Sequence, residues 1–222
     1  MPGAGLERAT ARSSAECSPR LSYPGISAIQ IVTNLSLSFQ NNSDVNKMIE
    51  DFFQKVLKLK NIPRQGWKEK LGIDNPESVA DHSYSTAVMS MILSDLQGLN
   101  SEKIIKMALL HDLAESIIGD ITPDHITKNE KNSKENLVMK QILKNLPSKI
   151  TKQYFEIWTE YQKNSSQEAI LIHDIDKLEM AFQAKFYQDK GIPKEKLQTF
   201  FNTANKEIKN KNLRNILSNF IE

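Results

Sequence analysis

From Asp44 onward, apolar residues return every three or four positions, while glycine and proline fall between the periodic stretches. That pattern commits the chain to helices and leaves little room for strands. Ser43 or Asp44 is the expected N-cap of a first helix with Met48, Phe52, Val56 and Leu59 on one face, ended by Pro63. A polar loop is expected from Asn61 to Pro76. Ser78 with Asp81 resembles a capping box opening a second helix through Leu96, and Ser101 is expected to cap a third that runs to about Ile117. Gly98 and Gly119 punctuate the ends of these two. Further amphipathic segments follow over roughly Lys134 to Leu146, Ser148 to Tyr161, Ser166 to Asp189 and Lys194 to Asn210, with Pro147 and Pro193 near their helix starts. The fold class expected over 44–222 is an all-α globular domain.

Residues 1–43 differ in kind. They hold Arg8, Arg12 and Arg20 without a lysine, eight serines, three of the eight prolines and only two acids, Glu7 and Glu16. This reads as a disordered or leader-like extension, with an organellar transit peptide as the alternative; an apolar stretch suited to export is missing near Met1. The lone cysteine, Cys17, excludes an internal disulfide and suits a reducing compartment, so a cytoplasmic protein is expected. No apolar run approaches the roughly 20 residues that cross a bilayer, so no membrane association is expected. Twenty-nine basic against 27 acidic residues leave a net charge of +2, too balanced for a nucleic-acid partner.

The third predicted helix carries the chemistry. It reads Ile104, Ile105, Met107, Ala108, Leu109, Leu110, then His111 and Asp112, then Leu113, Ala114 and Glu115, apolar nearly all round and therefore buried. Burying a carboxylate without compensation costs several kcal/mol, so Asp112 and Glu115 require a cation, donors or a wet cleft. Other helices contribute polar residues of the same type: His82 just after the Ser78 cap, and Asp176 on a stripe with Ile172 and Met180. Two imidazoles and two carboxylates suit a divalent metal, with coordination positions left over for water and substrate. Spacing alone does not separate Asp176 from Asp174, which Ile170, Leu171 and Leu178 flank on its own face.

His82, the His111-Asp112 doublet and Asp176, in that order and on helices, resemble the H…HD…D signature of the HD-domain metal-dependent phosphohydrolases. The match is closer to the 5'-deoxynucleotidase branch, through Pro63-Arg64-Gln65-Gly66-Trp67, Glu77 to His82, His111 to Glu115, Gly119 to Pro123, and Asp174 to Glu179. The resemblance covers about Val45 to Asn210 and implies an HD-domain helical bundle. It implies His82, His111, Asp112 and Asp176 as ligands of one divalent ion (Mn, Co, Mg, Fe, Ni or Zn), which decides for Asp176 over Asp174. It further implies Glu115 and Asp120 as catalytic carboxylates, Arg64 as the residue orienting the phosphate, Trp67 packed on the sugar, and Asp120, Ile121, Thr122 and Pro123 as a loop contacting a small-molecule nucleotide. A homodimer is implied as well. One departure stands out: bacterial members have Arg and Trp adjacent, whereas Gln65 and Gly66 separate them here.

The residues are suited to phosphate monoester hydrolysis. A divalent ion can activate a water and neutralise charge, Glu115 can exchange a proton from one turn beyond His111, and Arg64 offers paired donors to phosphate oxygens. The expected reaction is release of phosphate from deoxyribonucleoside 5'-monophosphates. An HD-fold phosphodiesterase or triphosphohydrolase, needing more basic groups at its mouth, and a non-catalytic metal-stabilised domain, not needing Glu115, are the alternatives. His125 and His173 read as surface residues, the run Lys128, Glu130, Lys131, Lys134, Glu135 as a solvated face, and Trp158 and Tyr161 as core or interface. The aromatic residues Trp158, Tyr161, Phe182 and Phe186 are the expected basis of the dimer. No GxxxxGK[ST], GxGxxG or CxxC pattern is present.

Overall fold

Ser78 Oγ accepts a hydrogen bond from the Asp81 amide at 3.2 Å, and Asp81 Oδ2 accepts from the Ser78 amide at 2.9 Å. The capping box therefore satisfies amides that a helix start would otherwise leave orphaned, and a helix begins at Val79. The computed structural model describes residues 43–221. The extension expected over residues 1–43 lies outside them except for Ser43. In chain order the helices are α1 (Ser43–Lys58), a 3₁₀ turn (Leu59–Asn61), α2 (Gln65–Leu71), α3 (Val79–Gln97), α4 (Ser101–Leu110), α5 (Glu115–Ile118), α6 (Lys128–Leu143), α7 (Ser148–Lys163), α8 (Gln167–Asp189), α9 (Lys194–Glu207) and α10 (Lys211–Ile221). Among the described residues there is no strand, only an isolated antiparallel bridge between Pro63 and Ser78. The all-α class holds, and no described helix is long and apolar enough to cross a membrane.

α8 is the helix around which the rest is arranged, packing against α3, α4, α7, α9 and α10. Ile172, Ile175, Leu178, Ala181 and Ala184 face the core from it, each at most 1% exposed. At roughly 1.5–3 kcal/mol per large side chain removed from water, such residues supply the main driving force for the fold. α3 presents Ser83, Thr86, Ala87, Ser90 and Ser94 inward. Small side chains let α4 and α8 approach it closely, which is how residues far apart in sequence come within bonding distance at its N-terminal end.

The structure corrects several sequence boundaries. The expected loop Asn61–Pro76 contains α2, because Trp67 and Leu71, four residues apart, are both buried and Gly72 closes the helix at φ 69°. Asn100, not Ser101, caps α4, its Oδ1 accepting from the Lys103 amide at 3.0 Å. α6 starts at Lys128 rather than Lys134, behind a second capping box of Thr127 with Glu130. α1 buries no residue fully, and Val56 is exposed. The last predicted segment stops at Glu207, after which α10 forms separately.

The most consequential correction concerns the third predicted helix, which breaks at His111. From there the chain makes bonds of the i to i+3 type: Leu113 N to Leu110 O at 3.1 Å, Glu115 N to Asp112 O at 3.0 Å and Ser116 N to Leu113 O at 3.1 Å. A turn wound at three residues rather than 3.6 changes the direction of every side chain on it.

Candidate functional site

Three elements converge: the first turn of α3, the tightened turn between α4 and α5, and the middle of α8. His82 Nε2 lies 3.3 Å from Asp176 Oδ1 and 3.7 Å from Asp112 Oδ2, and His111 Nε2 lies 3.2 Å from the same Asp112 oxygen. The two imidazoles are edge to face with centroids 5.4 Å apart. Both rings are buried, 0% and 3% exposed, whereas the side chains of Asp112 and Asp176 keep 14% and 13% of their surface. The histidines thus form a floor and the carboxylates border an opening.

Each ring is held by its other nitrogen. His82 Nδ1 is 2.6 Å from Glu179 Oε2, and His111 Nδ1 donates to the Ala108 carbonyl at 2.6 Å, a carbonyl that the end of α4 leaves available. Neither buried Nε2 has a hydrogen-bond partner. Two orphaned imidazole nitrogens facing two carboxylate oxygens at one point are the donor set of a divalent cation site, and His82, His111 and Asp176 can offer ligand atoms within 4.8 Å of one another. The residues fit a metal. Glu179, which orients His82, carries no role in the sequence motif; its position three residues after Asp176 on α8 is the available signal.

The structure also separates the two aspartates of α8. Asp174 is buried, and its two oxygens accept from the Lys209 and Asn210 amides at 2.9 and 2.8 Å, tying down the chain just ahead of α10. Its carboxylate is occupied. Asp176 is the one that faces His82.

Arg64 reaches the opening because the Pro63–Ser78 bridge fastens its segment to the start of α3, through Arg64 N to Glu77 O at 3.0 Å and Val79 N to Ile62 O at 2.9 Å. Its Nη1 donates to Asp112 Oδ2 at 3.4 Å. Burial alone would lower the Arg64 pKa, but Asp112, Asp120, Asp176 and Glu115 together hold it raised. For His82, burial and Arg64 push downward, yet the contacts with Asp176 and Glu179 prevail and lift it to about 10. Burial, and then Asp112 and Asp120, drive the Glu115 pKa well above the ordinary value, against Lys131 and Arg64.

Glu115, 1% exposed, opens α5 beyond the tightened turn. Its Oε1 accepts from Lys131 Nζ at 3.2 Å, so the run Lys128 to Glu135 is not a uniformly solvated face: Lys131 turns inward, Glu135 is 7% exposed, and Glu130 caps α6. Asp120 follows Gly119, and its Oδ2 accepts from the Gln65 amide at 2.8 Å at the start of α2, beside Arg64. Thr122 donates to Glu69 at 2.9 Å; Ile121 is partly buried and Pro123 exposed. Trp67 is 2% exposed, between Phe200 and Tyr187 at 4.2 and 5.2 Å, and its Nε1 donates to Glu77 at 2.8 Å. His125 is exposed beside Glu69. His173 is not a surface residue: it stacks on Tyr161 at 4.3 Å.

Residues 56–216 match the HD domain family. The chain is 42% identical over 154 residues to the mouse protein named 5'-deoxynucleotidase HDDC2, covering 69% of this chain and 76% of that one. It is 38% identical over 164 residues to 5'-deoxynucleotidase hdd1 of Schizosaccharomyces pombe, covering 72% and 82%. Among solved structures, the PH0347 protein of Pyrococcus horikoshii superposes with a TM-score of 0.66 at 37% identity, over 78% of this chain and 97% of that one.

Proposed function

The chain belongs to the HD domain family, and from that premise we propose that it hydrolyses deoxyribonucleoside 5'-monophosphates to a deoxyribonucleoside and phosphate. The observation that carries the reading is the point where the two unpartnered Nε2 atoms meet Asp112 and Asp176, with Arg64 at its edge and the buried Glu115 bonded through its amide to the Asp112 carbonyl. The relatives named 5'-deoxynucleotidase support the substrate class.

In this reading His82, His111, Asp112 and Asp176 hold one divalent ion of the Mn, Co, Mg, Fe, Ni or Zn type. When bound, such an ion supplies Lewis-acid charge neutralisation and a water of lowered pKa. Arg64 binds the phosphate: its guanidinium is already at the opening, and its planar donors match two phosphate oxygens. Glu115 moves the proton, from the attacking water or to the departing sugar oxygen; burial, with Asp112 and Asp120 nearby, raises its pKa and favours the protonated carboxyl. Asp120 fixes the distance between the Gly119–Pro123 loop and the Arg64 segment through the Gln65 amide. Ile121, Thr122 and Pro123 carry the loop past the nucleoside.

For Trp67, burial between Phe200 and Tyr187 supports an anchoring role, with the ring fixing the segment that presents Arg64. Trp67→Ala is then expected to lower kcat/KM for deoxyribo- and ribonucleotides alike. A relative gain on ribonucleotides would instead make the ring the wall that excludes a 2'-hydroxyl.

The function is tested by phosphate release from the metal-reconstituted full chain against nucleoside mono-, di- and triphosphates and diesters. Activity confined to triphosphates or diesters would replace this reading with the larger-polyanion one, and no hydrolysis at all with metal bound would leave a metal-stabilised binding domain.

A further inference from the structure

A lysine on an outer helix normally extends into water. Lys131 does the opposite: its Nζ reaches Glu115 Oε1 at 3.2 Å and the Ile121 carbonyl at 3.3 Å, with Glu135 at 3.7 Å. The register is set one turn earlier, where the Thr127–Glu130 capping box fixes the start of α6 and Lys131 N bonds Thr127 O at 2.9 Å. Glu115 Oε2, by contrast, is buried and has no hydrogen-bond partner. The two oxygens of one carboxylate are therefore made different. A carboxylate without such a contact exchanges its oxygens by rotation, whereas one held by an ammonium keeps them distinct.

We infer that Lys131 is a positioning residue for the hydrolysis proposed above, clamping Glu115 Oε1 so that Oε2 is the single oxygen left to take and return a proton. The inference rests on that function. The Ile121 carbonyl belongs to the Asp120–Pro123 loop, so the same ammonium also sets the loop against the proton-transferring carboxylate. Lys131 itself touches no substrate; it acts through Glu115 and Ile121. An ion pair serving only stability would leave the split between turnover and substrate binding unmoved.

The test uses the metal-loaded full chain and two variants. Lys131→Met keeps the stem and removes the donors; Lys131→Arg keeps a cation. With a deoxyribonucleoside 5'-monophosphate, Lys131→Met is expected to lose about tenfold or more in kcat with KM changed by no more than about twofold, metal content unchanged, and most of the loss restored by arginine. Unchanged kcat, or a raised KM at unchanged kcat, would overturn the assignment. A melting-temperature cycle combining Lys131→Met with Glu115→Gln reads the clamp without any substrate: the two effects are expected to be strongly non-additive, and additivity would show that no clamp exists. If wild type released no phosphate from any nucleotide, the function would fall while this cycle still judged the clamp.

Discussion

Asp174 and Asp176 stand two residues apart on one helix, and their environments give them opposite work. Asp174 bonds two backbone amides, so Asp174→Ala is expected to cost about 2–3 kcal/mol in denaturant unfolding while leaving metal content intact. Asp176→Ala, like His111→Ala and Asp112→Ala, is expected to lose the metal by elemental analysis, and activity with it. Metal retained in all three would return the cluster to a structural ion-pair role. Glu115→Gln keeps the volume and removes proton exchange: metal should stay and kcat should fall about 100-fold. pH acts through His82. Its pKa is raised from 6.5 to about 10 in the metal-free fold, so the stability this gives is complete below about pH 6.5 and is lost as pH rises through 10. Melting temperature of metal-free protein should fall across that window, and His82→Gln should flatten the slope. Metal loading at neutral pH should correspondingly release a proton, measurable by calorimetry in buffers of different ionisation enthalpy.

At the scale of the element, the tightened turn from His111 to Ala114 decides what the site can be. A turn of three residues sets consecutive side chains about 120° apart instead of about 100°, so the tightening fixes the directions in which His111 and Asp112 leave the backbone. Gly119 completes the turn at φ 76° and ψ 167°, a region that favours glycine strongly, and nothing lies near the place of a Cβ. Gly119→Ala is therefore expected to cost about 1–3 kcal/mol from backbone conformation alone and to lower kcat/KM by displacing Asp120, with metal retained. The Ser78–Asp81 box and the helical period were legible in sequence because they depend on neighbours within one turn. The break at His111 was not, since Ile104 to Glu115 is as apolar as an unbroken buried helix. α2 was missed because seven residues with polar neighbours give no period, and only the tertiary partners Phe200 and Tyr187 make Trp67 a core residue. Periodicity left Asp174 and Asp176 undecided for the same reason: the Lys209 and Asn210 amides that occupy Asp174 are 35 and 36 residues away. Lys131 looks solvated in sequence because sequence reports its helix face and not the carboxylate across from it.

For the whole molecule, the homodimer implied by the family resemblance can use only part of the expected aromatic surface. Trp158 and Tyr161 are 1% and 9% exposed, and Phe182 stacks on Phe220 at 3.8 Å, so these rings lie within the protein's own packing, whereas Phe186 is 48% exposed. α3 also presents Tyr84, Val88, Ile92 and Leu96 at four-residue spacing, between 40% and 77% exposed. The dimer is tested by light scattering at micromolar concentration, where twice the chain mass is expected and a monomer mass would reject it. The Asp174 contact has a further consequence when the molecule is considered as a mechanical object. Any load applied at the C-terminal end, by a fused domain or a surface tether, passes along α10 to Lys209 and Asn210 and from there to α8 only two residues from Asp176. That latch shares the load with the buried Leu213 and Leu217 and with Phe220 on Phe182, so tension at this end should part it only as α10 peels from α8, with the ligands of the ion left in place.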